Sequence, residues 1–289
     1  MLRPAVLAAI ALAAASPAEA QTGPPTQTPT WAGESAVIIS NALAGGLTAG
    51  IRHALSGGSF GKGFLWGAAG GTVGYLGKRV ASTRIDGAGF LGREIAAVGH
   101  SMVRNASEGR PAMSRLYLPL GPIPAWVTLT PTGGSALTLR IDPASLAQLI
   151  SLSTDSRLRF DVGQTMSLGA PVFEAMRRGV VGLNSEPVLG IASFGTIVIS
   201  DRRSFLQSGY DIRSIFVHET VHVIQGDFSL IAWSDPFNDA LFNALGLGVV
   251  NRFVMFNEVR WAGIIISDWI TDRRGLRAPF ELEAEWLAR

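Results

Sequence analysis

The sequence predicts an α+β fold in which a glycine-rich helical region leads into a mixed domain that ends mostly in helix. Three observations predict it. Sixteen of the 34 glycines lie between Gly45 and Gly99, many of them three or four residues apart, which stacks them on helix faces. Between Ser114 and Gly163 several short segments alternate apolar and polar side chains and are bounded by Pro or Gly, the mark of half-buried strands. From Ser214 onward the chain runs in apolar stretches of helix length, broken at intervals by Asn, Asp, Glu and Arg.

Residues 1–20 read as a secretory signal peptide. Arg3 precedes the apolar run Ala5–Ala15, and Ala18-Glu19-Ala20 suits a small-residue cleavage site. That run is short for a bilayer span. Residues 21–33, rich in Pro, Thr and Gln, read as a disordered linker. The chain has no cysteine, which excludes a disulfide framework, a thiolate metal site and a cysteine nucleophile.

Residues 34–112 form the glycine-rich region. Asn41–Leu55 and Phe64–Gly77 are apolar and flank Ser56–Gly63, so a helical hairpin is expected. Pairs such as Gly46/Gly50, Gly63/Gly67 and Gly70/Gly74 suit close approach of two helix backbones. Two settings fit: packing against the protein's own body, or association of residues 34–110 with a membrane as a glycine zipper. The four histidines include His53 and His100 here, which lack ligand spacing and read as structural.

Residues 113–289 form the α+β domain. Strands are expected at Ser114–Leu120, Ala125–Pro131, Ala136–Asp142, Arg157–Gly163 and Gly195–Asp201. Pro143–Ser153 has Pro at a first helical position and an apolar stripe. Helices are expected at 214–226, closed by Gly226, in packed form across Pro236–Ile270, and at 279–289. Trp233, Trp261, Trp269 and Trp286 read as core or interface residues.

Composition narrows the function. Hydrophobic residues make up 47% and charged residues 16%, with a mean hydropathy of +0.29, which points to a large core or membrane contact. A net charge of +2 without a Lys/Arg run leaves no nucleic-acid footprint. Neither a G-x-S-x-G elbow nor a phosphate-binding P-loop occurs, so serine-hydrolase and NTPase readings have no support.

What remains is Phe216–Gln225, FVHETVHVIQ, where His218, Glu219 and His222 match H-E-x-x-H. On a helix, positions i and i+4 lie on one face, so two imidazoles can share one zinc ion at about 2.0–2.1 Å. Glu219 sits about 100° around the helix, off the metal but beside its open position, where it can act as general base toward a zinc-activated water. Val217, Val221 and Ile224 give the helix an apolar face. The preceding strand Gly195–Asp201 is placed to pair with an extended peptide.

This stretch resembles the zinc helix of the gluzincin metallopeptidases, and is especially similar to a bacterial group with H-E-[LT]-x-H-V-x-Q after a short strand. The resemblance covers about Ile191–Arg289. It implies a zincin-like domain, a Zn2+ cofactor, peptide or protein substrates, and a third ligand that is a glutamate from a later helix. Glu281-Leu-Glu-Ala-Glu285 resembles the E-x-x-A-[DE] ligand helix, which makes Glu281 the metal ligand and Glu285 the group that supports a zinc-bound histidine. Glu283 then points away. Glu285 departs from the usual aspartate. Asn257-Glu258 resembles the start of another gluzincin ligand helix, so Glu258 is the alternative third ligand; Asp227 would suit a different ligand class. An oxyanion stabiliser is expected from among Tyr210, Arg260 and Arg277.

The expected function is an exported, zinc-dependent peptidase of the bacterial periplasm or cell envelope. The alternative is an envelope-associated structural or interaction protein with a glycine zipper and a structural or vestigial metal site.

Overall fold

In the computed structural model, residues 31–129, 133–176, 189–201, 211–256 and 279–288 are described. The expected signal peptide lies outside them.

The glycine-rich region forms three helices, α1 (Trp31–Leu55), α2 (Phe60–Ala81) and α3 (Ala88–Ser107), with α2 between the other two. The linker expected to run to residue 33 therefore ends earlier, because α1 already includes Trp31. The helices pack backbone to backbone. A Cβ on Gly70 of α2 would lie 2.7 Å from the Gly99 carbonyl oxygen of α3. One on Gly71 would overlap the Asn41 carbonyl of α1. The glycines thus let three helices approach one another within the protein's own body. Ser59 caps α2 by accepting the Lys62 N–H.

Two small sheets follow. The first is an antiparallel meander of β1 (Arg115–Leu118), β2 (Ala125–Leu129) and β3 (Ser135–Leu139). Helix α4 (Pro143–Thr154) starts as expected, with Asp142 accepting the Ala144 N–H. The second sheet has the order β4-β5-β7-β6, from β4 (Leu158–Phe160), β5 (Val172–Ala175), β6 (Gly190–Ser193) and β7 (Thr196–Ile199). The β5–β7 pair is parallel and the other two are antiparallel. The strand expected at Arg157–Gly163 is cut short, because Asp161 instead accepts the Gln164 N–H and starts helix α5 (Val162–Leu168). Phe194 and Gly195, both at positive φ (46° and 72°), make the two-residue turn between β6 and β7.

Helix α6 (Ile212–Ser229) begins at Asp211, whose side chain accepts the Arg213 N–H. It does not stop at Gly226. Phe228 packs against Ala49, Val103 and Ala106, while Leu230 and Ile231 enter a core with Tyr117 and Trp126. That burial carries the chain through Gly226 into a π-helical turn (Leu230–Ser234) and on into α7 (Asp235–Ala244). A short α8 (Gly248–Asn251) follows, and α9 (Pro279–Leu287) closes the described chain.

The layers share cores across the expected boundary at residue 112. Tyr75 of α2 packs with Val221 of α6 and with Ala284 and Leu287 of α9, next to Val37, Ile38 and Trp286. Phe216 and Val223 of α6 join β5, β7 and α5. Ala81, Ala96 and Ile224 bring α2, α3 and α6 together. Helix α6 therefore lies between the glycine-rich layer and the second sheet.

Candidate metal centre

The heptad VHETVHV lies in the middle of α6, where Val221 and Val223 are fully buried. Their burial fixes the helix rotation and turns His218 and His222, one turn apart, toward α9. Glu281, in the first turn of α9, faces them. The Nε2 atoms of the two histidines are 3.0 Å apart. Glu281 Oε2 lies 3.4 Å from His218 Nε2, and its Oε1 lies 3.3 Å from His222 Nε2. Neighbouring ligand atoms on a tetrahedral zinc ion, at about 2.0–2.1 Å from it, are separated by about 3.3–3.4 Å. The three donors thus stand at nearly the spacing that one such ion needs, and a His₂-carboxylate set has the right chemistry. Glu281 keeps 43% of its side-chain surface exposed and the histidines 22% and 15%, so one side of the triad is open.

The polar layer behind the triad fixes a tautomer. His222 Nδ1 is 2.8 Å from Gln225 Oε1, and Gln225 Nε2 donates to Glu283 Oε2 at 2.8 Å. Glu283 also accepts from Lys78 Nζ at 2.7 Å and from Asn41 Nδ2 at 2.6 Å. Burial alone would favour a neutral Glu283, but Lys78, Gln225 and Asn41 outweigh it and hold the carboxyl below its usual range. An ionised carboxylate only accepts, so Gln225 must turn its NH2 toward Glu283 and its oxygen toward His222. His222 then donates from Nδ1, which leaves the Nε2 lone pair facing the triad. The expectation that Glu283 points away is therefore corrected. Although it is off the Glu281 face of α9, that helix is wrapped by α1, α2 and α6, and Glu283 meets them. Gln225 and Glu283 stand behind His222; Glu285, expected to support a zinc-bound histidine, is half-buried on α9.

The groups around the triad are electrostatically coupled. Burial opposes a charge on His222, but Glu281 on Nε2, Glu219 nearby and Gln225 on Nδ1 outweigh it and raise its basicity. Burial would raise the Glu281 carboxyl, but its contacts with both histidines dominate and hold it well below the usual range. Glu219 is 5% exposed, and this burial pushes its carboxyl up against the opposing pull of His222 and His218. Its carboxylate accepts the Ala192 N–H of β6, and a Cβ on Gly190 would lie 2.8 Å from Glu219 Oε1. Strand β6 is thus the edge strand next to Glu219; β7, within the Gly195–Asp201 strand expected to pair with a peptide, also packs on α6 but is interior, between β5 and β6, which corrects that pairing. Ser200 N–H donates to Leu189 O, so by antiparallel alternation Gly190 and Ala192 direct their main-chain groups away from β7.

Other candidates are placed elsewhere. Asp227 forms a buried ion pair with Arg93, Oδ2 to Nε at 2.7 Å, and so serves α3 packing and not the triad. His100 is buried edge-on against Phe228. Glu258, Tyr210, Arg260, Arg277, Trp261 and Trp269 lie outside the described residues. The sequence reading missed the roles of Gln225, Glu283 and Lys78; the one signal available was the Gln three positions after His222. Searches of protein-family models, of curated proteins and of solved structures returned no match for this chain.

Proposed function

We propose that this chain is a zincin-like, zinc-dependent peptidase, with His218, His222 and Glu281 as metal ligands and Glu219 as general base. The observation that carries the reading is the convergence of the three donor atoms at 3.0–3.4 Å next to a buried glutamate. A zinc ion in that place supplies a water of near-neutral pKa and polarises a peptide carbonyl. The chain's own part follows from its geometry. Burial gives Glu219 the raised proton affinity that a group needs to take a proton from water and return it to a leaving amine. The outward main-chain groups of Gly190 and the Ala192 carbonyl offer pairing to an extended peptide at the edge of the described sheet, while the Ala192 N–H is taken by Glu219. Gly190 leaves room there for Glu219 and Ile215.

The setting we assign is the envelope of a bacterium, reached by export. Helix α1, over Gly33–Leu55, is long and apolar enough to cross a membrane, and Ile39, Leu43, Leu65, Trp66 and Leu76 are exposed on α1 and α2. The same exposed residues favour the second reading, an interaction protein whose metal group only stabilises the fold.

Metal analysis of the mature protein separates the two. The expected result is one zinc per chain, lost in Glu281→Ala and kept in Glu219→Gln, with Glu219→Gln lowering hydrolysis of an unfolded protein substrate by about 10²-fold or more. A wild-type protein that takes up no zinc when it is supplied refutes the site. Zinc uptake without any hydrolysis supports the structural reading.

A further inference from the structure

On the inner face of the first sheet, beside its third strand, lies an open cavity of about 510 Å³. Arg110, Arg115, Arg140 and Arg252 line it, together with Thr128 and Thr138. Among the described residues no carboxylate lines its wall. The parallel bridge between Ile141 and Val254 holds the Arg252 segment against the end of β3. Arg115 and Arg140 both lie over the Trp126 ring, with guanidinium carbons 5.3 and 5.2 Å from its centre, which helps to fix the position of both.

The charge around this cavity does not balance. Three acids stand behind it. Asp235, fully buried, accepts from Arg140 at 2.7 Å and lies 3.4 Å from Arg104 and 3.7 Å from Arg115. Asp239 lies 3.2 Å from Arg104 and 3.3 Å from Arg140, and Glu108 pairs with Arg104 and Arg110. These three carboxylates serve four arginines. Arg252 adds a fifth and has no ion-pair partner among the described residues. Within the cluster, Arg104 Nε and Nη1 and Arg140 Nε are buried without a hydrogen-bond partner, as are Asp235 Oδ2 and Glu108 Oε2, so the imbalance rests on the count of charges and not on these atoms. Burial and the neighbouring Arg104 and Arg140 lower the Arg115 pKa despite Asp235. An anion in the cavity would relieve that repulsion.

We propose that this cavity binds a phosphate group. Arginine forks from several directions and two threonine hydroxyls suit a tetrahedral oxyanion with many lone pairs better than they suit a planar carboxylate. The volume exceeds that of a phosphate ion, and Leu137, Leu139 and Phe253 supply an apolar wall for the remainder of the ligand. A soluble phosphorylated molecule and a phospholipid headgroup share this chemistry. The site is independent of the metal centre.

The test uses the full mature chain, with far-ultraviolet circular dichroism and the thermal unfolding midpoint as checks on folding. Inorganic pyrophosphate is titrated calorimetrically at low salt, and vesicles containing phosphatidylglycerol are tested by co-sedimentation. Both probes are repeated with Arg252→Ala and with Arg110→Ala/Arg252→Ala, which alter exposed arginines only. The expected result is saturable binding of at least one probe, weakened about tenfold or more in the double variant and reduced by salt. Pyrophosphate binding identifies a soluble ligand; vesicle binding without it identifies a headgroup. Failure of both probes to bind at millimolar concentration, or binding that the double variant leaves intact, overturns the proposal.

Discussion

Replacing Lys78 with Met tests whether the glycine-rich layer orients the metal ligands. The Lys78–Glu283 pair is 2.7 Å long, with side chains only 6% and 12% exposed. Removing one partner of such a pair costs about 3–5 kcal/mol, because a buried charge is left uncompensated. Glu283 keeps its donors Gln225 and Asn41, so the lower end, about 3 kcal/mol, is expected. The second effect passes through Gln225. Without Lys78 the carboxyl of Glu283 is held less firmly in its ionised form, Gln225 is less constrained to face His222 with its oxygen, and the Nε2 lone pair of His222 is less well presented. Loss of a group behind a metal ligand weakens affinity about 10–100-fold. The double variant Lys78→Met/Glu283→Gln separates the effects. It removes the stranded charge, so most of the stability returns. It replaces an acceptor-only carboxylate with an amide that can either donate or accept, so the orientation of Gln225 is no longer enforced and zinc affinity stays low. The assays are denaturant unfolding of the metal-free protein and competition for zinc with a chelator. Zinc affinity within about twofold of wild type in Lys78→Met, or recovery of affinity with stability in the double variant, would refute the reasoning.

Two further predictions concern the glycine-rich layer. Gly71→Ala places a methyl against the Asn41 carbonyl and should destabilise by at least 1–3 kcal/mol, roughly the cost of overpacking. Gly61→Ala, where no atom lies within 4 Å of the new methyl, should stabilise by about 0.5–1 kcal/mol; equal thermal shifts for the two would mean that the glycines do not set the helix spacing. His100 is held neutral, its pKa lowered to about 3 by burial and, secondarily, by Lys78. The unfolded chain protonates near 6.5 and the folded chain does not, so stability is full above that pH and falls as the pH drops toward about 3. At pH 4.5 this amounts to roughly 2–3 kcal/mol, which His100→Phe should remove, and urea unfolding at pH 7.0 and 4.5 reads the difference.

What the sequence showed of the site was its local part. Positions i and i+4 on one helix need no tertiary information, so His218 and His222 follow from spacing alone. Glu281 was reachable only through a resemblance. Glu283 was misread because a helical wheel gives angles around α9 and not the neighbours on each side; α9 is enclosed on more than one face. The second sheet was half legible. Thr196–Ile199 is a clear β-branched run, whereas Gly190–Ser193 is small and polar and becomes a strand only by pairing with it. Val172–Ala175 carries Glu174, a charge that disguises a strand buried along its whole length until Arg159 is seen to neutralise it. Gly226 looked like a stop, and the burial of Phe228, Leu230 and Ile231 overrode it.

Charge balance connects these observations. Asp227 on α6 has Arg93, and Glu283 on α9 has Lys78. Glu219 and Glu281 have no such partner: no lysine or arginine among the described residues pairs with either, and their neighbours of opposite tendency are His218 and His222. With both imidazoles neutral, as ligands must be, neither the buried Glu219 nor the partly exposed Glu281 has a cationic side chain beside it. Such a deficit is costly unless a cation relieves it. In the metal-free chain His222 goes part of the way, which is why its basicity is raised. A divalent ion within reach of all three donors would relieve that deficit and free His222 from that role. The arginine cavity has the opposite imbalance, an excess of guanidinium over carboxylate. The buried pairs Arg93–Asp227 and Lys78–Glu283, by contrast, are closely matched. The two proposed ligands, a cation at the triad and an anion at the arginine cavity, are of the sign that each imbalance calls for.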